Sequence, residues 1–337
     1  MLRSSVVFVA PQIIEVIAEP LPKGRAGQLL VQSELSAISA GTELLFYRGQ
    51  APLDVAVDAS LAALGQEPPR YPLRYGYACL GRVIETGRGA PPEWQGQRVF
   101  AFHPHTSHFW ADPAGLLRVP EGLTGEQAIL LPNMETAVNL VMDGQPGLGE
   151  VVAVVGLGIV GLLTLVLLRM FPLQSLVAVD PFPLRRSLAL ELGADDAVWL
   201  DDGQLPPQWP AADLSYELSG NPAALNSALR LTGFAGRVVI GSWYGQKRAE
   251  INLGGAFHRS RIRLLASQVS TIDPQWSGRW SKERRFALAW RMLQRLPAQR
   301  LISHRFSIQD AAAAYQLLDR RPQDALQAIL TYGASSR

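Results

Sequence analysis

Val151-Val152-Ala153-Val154-Val155-Gly156-Leu157-Gly158-Ile159-Val160-Gly161 is the stretch that decides how this chain is read. Its first five residues are a mostly β-branched, uncharged block of the kind buried in a parallel sheet. Leu162 to Met170 follow, mostly apolar and free of Gly and Pro, which predicts a helix. Between strand and helix stands Gly-x-Gly-x-x-Gly. Gly156 permits the tight turn, Gly158 lets a pyrophosphate approach the backbone, and Gly161 lets helix pack on strand. Leu157, Ile159 and Val160 complete the turn, and the helix N-terminus offers unpaired N–H groups and partial positive charge to phosphates.

The next element supports a dinucleotide site. Leu176-Val177-Ala178-Val179 predicts a second strand, and Asp180 closes it nineteen positions after Gly161. A carboxylate there is placed to accept from the adenosine ribose hydroxyls and to repel a 2′-phosphate, so NAD(H) is expected over NADP(H). Arg185 and Arg186 oppose this, because either could clamp a phosphate. Arg185 is therefore counted with Asp180 among the cofactor-binding residues.

Val151 to Leu168 carries no charge over 18 residues, which reaches the lower length of a membrane helix. Three glycines in six positions break such a helix, and their backbone groups would go unpaired in lipid. No membrane partner is expected. The chain of 337 residues has room for two domains, with 48% hydrophobic and 18% charged residues and a formal charge of +2. Basic residues are densest from Arg259 to Arg305, at a spacing that suggests a solvated helix face, and no recognised nucleic-acid-binding motif is present, so no nucleic acid partner is expected. Cys79 is the single cysteine, which excludes an internal disulfide framework, and Met1 to Val9 lacks the apolar core of a secretory signal. A cytoplasmic location is the expectation.

Residues 1 to about 130 have a different texture, with short β segments at Gln28–Gln32, Gly81–Glu85 and Arg98–Phe102 separated by Gly and Pro. These predict a small irregular β-barrel. Leu123 to Met142 predicts a helix broken near Pro132, opened by a Thr124/Gln127 capping box. After Asp180, helices at Leu184–Leu192 and Pro222–Leu231 alternate with strands at Ala197–Leu200, Leu214–Leu218, Arg237–Gly241 and Ile262–Ala266. That alternation calls for a parallel sheet with right-handed crossovers. Arg284–Leu296 and Ile308–Leu318 predict helices in the tail.

Ile38-Ser39-Ala40-Gly41-Thr42-Glu43, Tyr75-Gly76-Tyr77-Ala78, Gly96-Gln97-Arg98-Val99, Glu135-Thr136-Ala137 and the glycine turn resemble the medium-chain dehydrogenase/reductase superfamily along nearly the whole chain. Within it the chain resembles the zinc-free group related to bacteriochlorophyllide dehydrogenases and threonine-dehydrogenase-like proteins. The resemblance implies a Rossmann doubly wound sheet plus a GroES-like β-barrel catalytic domain. The implied boundaries are a catalytic domain at 1–135, a dinucleotide domain at 136–270 and a return segment at 271–337. It also implies a homodimer and a small-molecule substrate. Zinc-dependent relatives carry a cysteine where this chain has Ala40, and a His-Glu pair where it has Tyr77-Ala78. Without thiolate or imidazole there the tetrahedral site cannot assemble, so no zinc is expected.

Chemistry must then come from other groups. Thr42 stands where relatives place a proton-relay hydroxyl, and Tyr77 takes the place of a metal ligand, with Glu43 adjacent. His103, His105 and His108 form HxHxxH, and three readings stay open: a zinc cluster, a proton relay centred on His103, or solvated loop histidines. Thr136, Ser219-Gly220-Asn221 and Ser242-Trp243-Tyr244 resemble segments that line the cofactor. The first reading of function is a zinc-independent oxidoreductase moving hydride between a nicotinamide and a carbonyl or alcohol. The alternatives are reduction of an activated C=C bond, as in enones and quinones, and nucleotide binding without turnover.

Overall fold

A computed structural model describes residues 1–52, 54, 68–200 and 209–333. The chain divides into two compact units, Met1–Pro132 with Trp290–Arg337, and Asn133–Ala289.

The first unit opens with a hairpin of β1 (Leu2–Ala10) and β2 (Ile13–Pro20). The Met1–Val9 run is therefore mostly strand. It continues through β3 (Leu29–Ala37), helix α1 (Ala40–Tyr47), β4 (Cys79–Thr86), β5 (Arg98–Ala101), β6 (His108–Ala111), β7 (Leu116–Arg118) and the single-turn α2 (Gly125–Ala128). The capping box at Thr124 and Gln127 is present, with each side chain bonded to the other residue's backbone N–H. The helical stretch breaks near Pro132, at Ile129–Leu130. Pro132 is the second residue of α3 (Leu131–Gly144), where a missing N–H costs nothing.

In the second unit the glycine-turn segment forms β8 (Val151–Val155) and α4 (Ile159–Leu168), followed by β9 (Ser175–Val179), α5 (Pro183–Glu191) and β10 (Asp196–Val198). Then come β11 (Ala212–Glu217), α6 (Ala224–Leu231), β12 (Thr232–Ile240), β13 (Arg263–Ala266) and α7 (Lys282–Leu293). The six strands run in the order β10-β9-β8-β11-β12-β13, every neighbouring pair parallel. This is the doubly wound order, with the direction of winding reversing between β8 and β11. All five residues of β8 are buried, which is why its sequence reads as an unbroken apolar run.

The chain returns to the first unit as β14 (Ile302–Ser307), α8 (Ala311–Arg320) and β15 (Gln327–Thr331). Sheet order there is β14-β15-β3-β4-β5-β7, with β6 also paired to β3 and only β14–β15 parallel. The helices expected at Arg284–Leu296 and Ile308–Leu318 are present as α7 and α8; the two strands β14 and β15 were not expected. Each is short and enters an existing sheet, so pairing rather than local propensity decides its form. Among the described residues no helix is long and apolar enough to cross a membrane.

Packing in the second unit rests on a buried cation. Arg285 of α7 is fully buried, and its guanidinium reaches Glu135 Oε1 on α3 through Nε at 3.0 Å and Nη2 at 2.8 Å. The remaining N–H groups go to Asn139 Oδ1 and to the carbonyls of Thr271 and Val269. Arg285→Ala would remove the buried cation opposite the Glu135 carboxylate, a loss of about 3–5 kcal/mol. Urea denaturation of that variant should show a loss of this size in the transition of this unit, and a change below about 1 kcal/mol would contradict the assignment.

Candidate functional site

Two groups of side chains stand out, one in each unit. In the first unit, Ser39 caps α1 with extended dihedrals but its hydroxyl makes no capping bond. Glu43 takes over part of that task, its Oε1 accepting the Ser39 N–H at 2.8 Å. Glu43 is fully buried, and its Oε2 accepts from His105 Nε2 at 2.9 Å and from the Tyr315 hydroxyl. His105 Nδ1 lies 2.7 Å from Ser36 Oγ, which lies 2.6 Å from the Tyr332 hydroxyl. Burial, and the Glu43 charge beside it, push the Tyr315 phenol well above its ordinary range, so it serves as a neutral donor. Freed from capping, Ser39 Oγ accepts from the Tyr77 hydroxyl at 2.5 Å. Tyr77 and Thr42 are both half-buried.

The histidine cluster does not assemble. β5 ends at Ala101, so Pro104 lies in a loop and the three rings diverge. His103 stacks on Phe109 at 3.9 Å with Nδ1 2.9 Å from the Pro104 carbonyl, His105 meets Glu43, and His108 pairs with Gln32 in the sheet. Among the described residues no three His, Cys, Asp or Glu side chains are grouped to hold a metal ion. His105, not His103, is the ring joined to Glu43. Sequence spacing alone did not separate them, although the close fit of Gly76 against the His105 ring does: a Cβ on Gly76 would stand 2.6 Å from it.

In the second unit the glycine turn closes on itself. Gly156 has φ +95°, and a Cβ there would stand 2.4 Å from Ser219 N; a Cβ on Gly161 would stand 2.0 Å from the Gly156 carbonyl. At Gly158 a Cβ would meet open space, the room that a pyrophosphate needs. The first turn of α4, with Leu157 before it and Ile159 and Val160 within it, leaves its leading amides without intrahelical partners.

Asp180 is buried at the end of β9, its Oδ2 accepting from Leu157 N at 2.8 Å and its Oδ1 from Phe182 N at 2.9 Å. It thus braces the turn as well as presenting a carboxylate. Arg185 lies 3.8 Å from Asp180 Oδ2 and 4.8 Å over the Phe182 ring, while Arg186 donates to the carbonyls of Asp180 and Pro181. Both arginines are held near Asp180, so neither lies on an outer face.

At the ends of β11 and β12 sits a residue that sequence reading passed over. Glu217 is fully buried and accepts from Ser219 N at 2.9 Å, from Ser219 Oγ, and from the Tyr244 hydroxyl at 2.5 Å. Gly220 N donates to Ser242 Oγ at 2.9 Å, and Lys247 Nζ donates to the Gly220 carbonyl. Trp243 is 37% exposed, and Thr136 is half-buried on α3.

Comparison with known proteins agrees with this geometry. Residues 160–287 match the family described as zinc-binding dehydrogenase. D-guloside 3-dehydrogenase of Escherichia coli K12 is 23% identical over 97% of this chain and 99% of its own length. The crystal structure of 2R,3R-butanediol dehydrogenase from Bacillus subtilis superposes with a TM-score of 0.78 at 19% identity, covering 98% of this chain and 99% of that one. An alcohol dehydrogenase of Escherichia coli CFT073, solved with NADH, gives 0.77 at 19% identity over the same shares. Residues 160–287 thus match a dehydrogenase family, and the whole chain has the fold of these dehydrogenase structures. Its parallel sheet and separate, mostly antiparallel sheet are the fold shared with those structures.

Burial lowers the His103 pKa to about 4, the Pro104 carbonyl opposing the shift in part. Unfolded, the ring titrates near its ordinary value of 6.5. Above that pH both states are neutral and the residue contributes nothing to pH dependence. As pH falls from about 6.5 toward 4, only the unfolded chain takes the proton, so the folded state loses up to about 1.4 kcal/mol per pH unit. Unfolding free energies of wild type and His103→Gln between pH 7 and 4 should diverge by this slope, and parallel curves would contradict it.

Proposed function

We propose that this chain is a zinc-independent dehydrogenase moving hydride between a nicotinamide cofactor, NAD(H) in preference to NADP(H), and a carbonyl or alcohol. The observation that carries the reading is the glycine turn, open only at Gly158 and braced by Asp180. The names of relatives, a guloside 3-dehydrogenase and a butanediol dehydrogenase, support a secondary alcohol of a polyhydroxylated molecule as substrate.

Zinc independence rests on the side chains in the positions of the family's metal ligands. Ala40 and Ala78 offer no donor atom, and the Tyr77 phenol is engaged with Ser39. These residues do not fit a tetrahedral zinc. The bound nicotinamide supplies or accepts the hydride; the protein must hold the substrate oxygen and move its proton. Tyr77 and Thr42 are the hydroxyls suited to hold that oxygen. Ser39 Oγ, not spent on its helix, accepts the phenol's hydrogen bond and so orients Tyr77. Glu43 lies behind them in full burial and acts by fixing the Ser39 backbone, with His105 and Tyr315 holding Glu43 in turn.

The cofactor preference follows from Asp180. Its carboxylate would meet a 2′-phosphate with like charge, and the two arginines nearest to it are already engaged beside it. NADH should bind roughly tenfold to a hundredfold tighter than NADPH. Titration of both reduced cofactors against wild type and Asp180→Ser checks this; equal or tighter NADPH binding by the wild type would overturn it.

Activity and metal content are tested together by assaying purified protein with NAD⁺ and a panel of alcohols and polyols, with metal analysis of the same sample. Turnover without stoichiometric zinc is expected, and Tyr77→Phe should lower kcat roughly a hundredfold or more while leaving NADH binding intact. Zinc lost together with activity on chelation would reject zinc independence. Absence of turnover in the presence of cofactor binding would leave a nucleotide-binding protein.

A further inference from the structure

Glu217 is a fully buried carboxylate at the carboxyl end of β11, directly beside the last residue of β12 in register. Its three donors come from two different loops. Ser219 supplies a backbone N–H and a hydroxyl from the 218–221 loop, and Tyr244 supplies a phenol from the 241–247 loop. Burial, with the Glu217 charge adjacent, raises the Tyr244 pKa far above its usual value, so the phenol stays a donor at any working pH. Two further bonds run between the same loops, Gly220 N to Ser242 Oγ and Lys247 Nζ to the Gly220 carbonyl. Ser219 also abuts the phosphate turn, since a Cβ on Gly156 would stand 2.5 Å from Ser219 Cα.

In a doubly wound sheet one half holds the adenosine and the other the second nucleotide. Asp180 marks the β8–β10 half as the adenosine side, which leaves the ends of β11 and β12 to the nicotinamide. We propose that Glu217 is a positioning residue for the nicotinamide half of the site, locking the 218–221 and 241–247 loops into one wall through Ser219 and Tyr244. A carboxylate is suited to this task because it accepts several strong bonds at once, and its burial makes every one of them obligatory. The inference rests on the dinucleotide reading of the glycine turn. It adds a residue and a division of labour that reading does not contain.

The test compares a whole dinucleotide with a piece of it. Binding of NADH and of ADP-ribose, which lacks the nicotinamide, is measured by protein fluorescence for wild type, Glu217→Gln, Tyr244→Phe and the double variant. Each single variant should weaken NADH about tenfold and leave ADP-ribose within about twofold, and the double variant should be no worse than the weaker single. Should Glu217→Gln fail to fold, Tyr244→Phe alone carries the comparison, because it removes one hydroxyl from a half-buried side chain. Unchanged NADH affinity in the folded variants would overturn the inference. Equal loss of both ligands would also overturn it, showing a general structural role. Failure of the wild type to bind either ligand would instead remove the dinucleotide reading, and this inference with it.

Discussion

A carboxylate taken out of water must be given hydrogen-bond donors, and much of this structure is arranged around meeting that need. Left unpaired, such a group costs several kcal/mol, so its donors are fixed as firmly as the group itself. Glu43, Asp180 and Glu217 each sit at or near the end of a regular element and draw a backbone N–H from a neighbouring turn. Glu43 and Glu217 then take a phenol from a distant stretch of chain, Tyr315 and Tyr244 respectively. Loops that would otherwise be loosely held acquire a defined shape, and those loops carry the groups suited to substrate and cofactor.

The parts legible in the sequence were those whose cause is local. Five buried residues in a row announce β8, the glycine spacing announces the turn after it, and Thr124 with Gln127 announces a capped helix. Asp180 was half legible: its place at the strand end follows from the spacing, but its bond to Leu157 N appears only when the turn folds back. Tyr315 and Tyr332 were invisible, because their partners Glu43 and Ser36 lie 272 and 296 positions away. Glu217 gave no signal either, being one acidic residue at the end of an apolar strand. The strands β14 and β15 take their form from sheet pairing, for which a short segment carries little evidence of its own.

In the segment Tyr75-Gly76-Tyr77 the requirement on the backbone is separate from the side chain it presents. Gly76 has φ +118° and lies so close to the His105 ring that no side chain fits. That requirement is steric and independent of any metal. Tyr75 packs on Phe46 at a centroid distance of 4.3 Å, while Tyr77, one position past the glycine, turns its hydroxyl to Ser39. The backbone of the motif is thus dictated by packing around His105. What the motif presents is set separately by the one side chain that follows the glycine.

The sheet of the first unit contains the chain's most widely separated pairing, β15 against β3 with Ile329 opposite Ala37. During synthesis the ribosome must add nearly three hundred residues after Ala37 before its partner strand exists, on the order of 15–60 s at ordinary elongation rates. Through that interval Glu43 lacks Tyr315 as donor, and β3 lacks the β15 edge beside it. The second unit, contiguous in sequence and with its own core, has all its parts available earlier. The nascent polypeptide therefore carries an incomplete, strand-rich N-terminal half behind a finished nucleotide-binding sheet, and that exposed β3 edge is where a holding chaperone has most to protect.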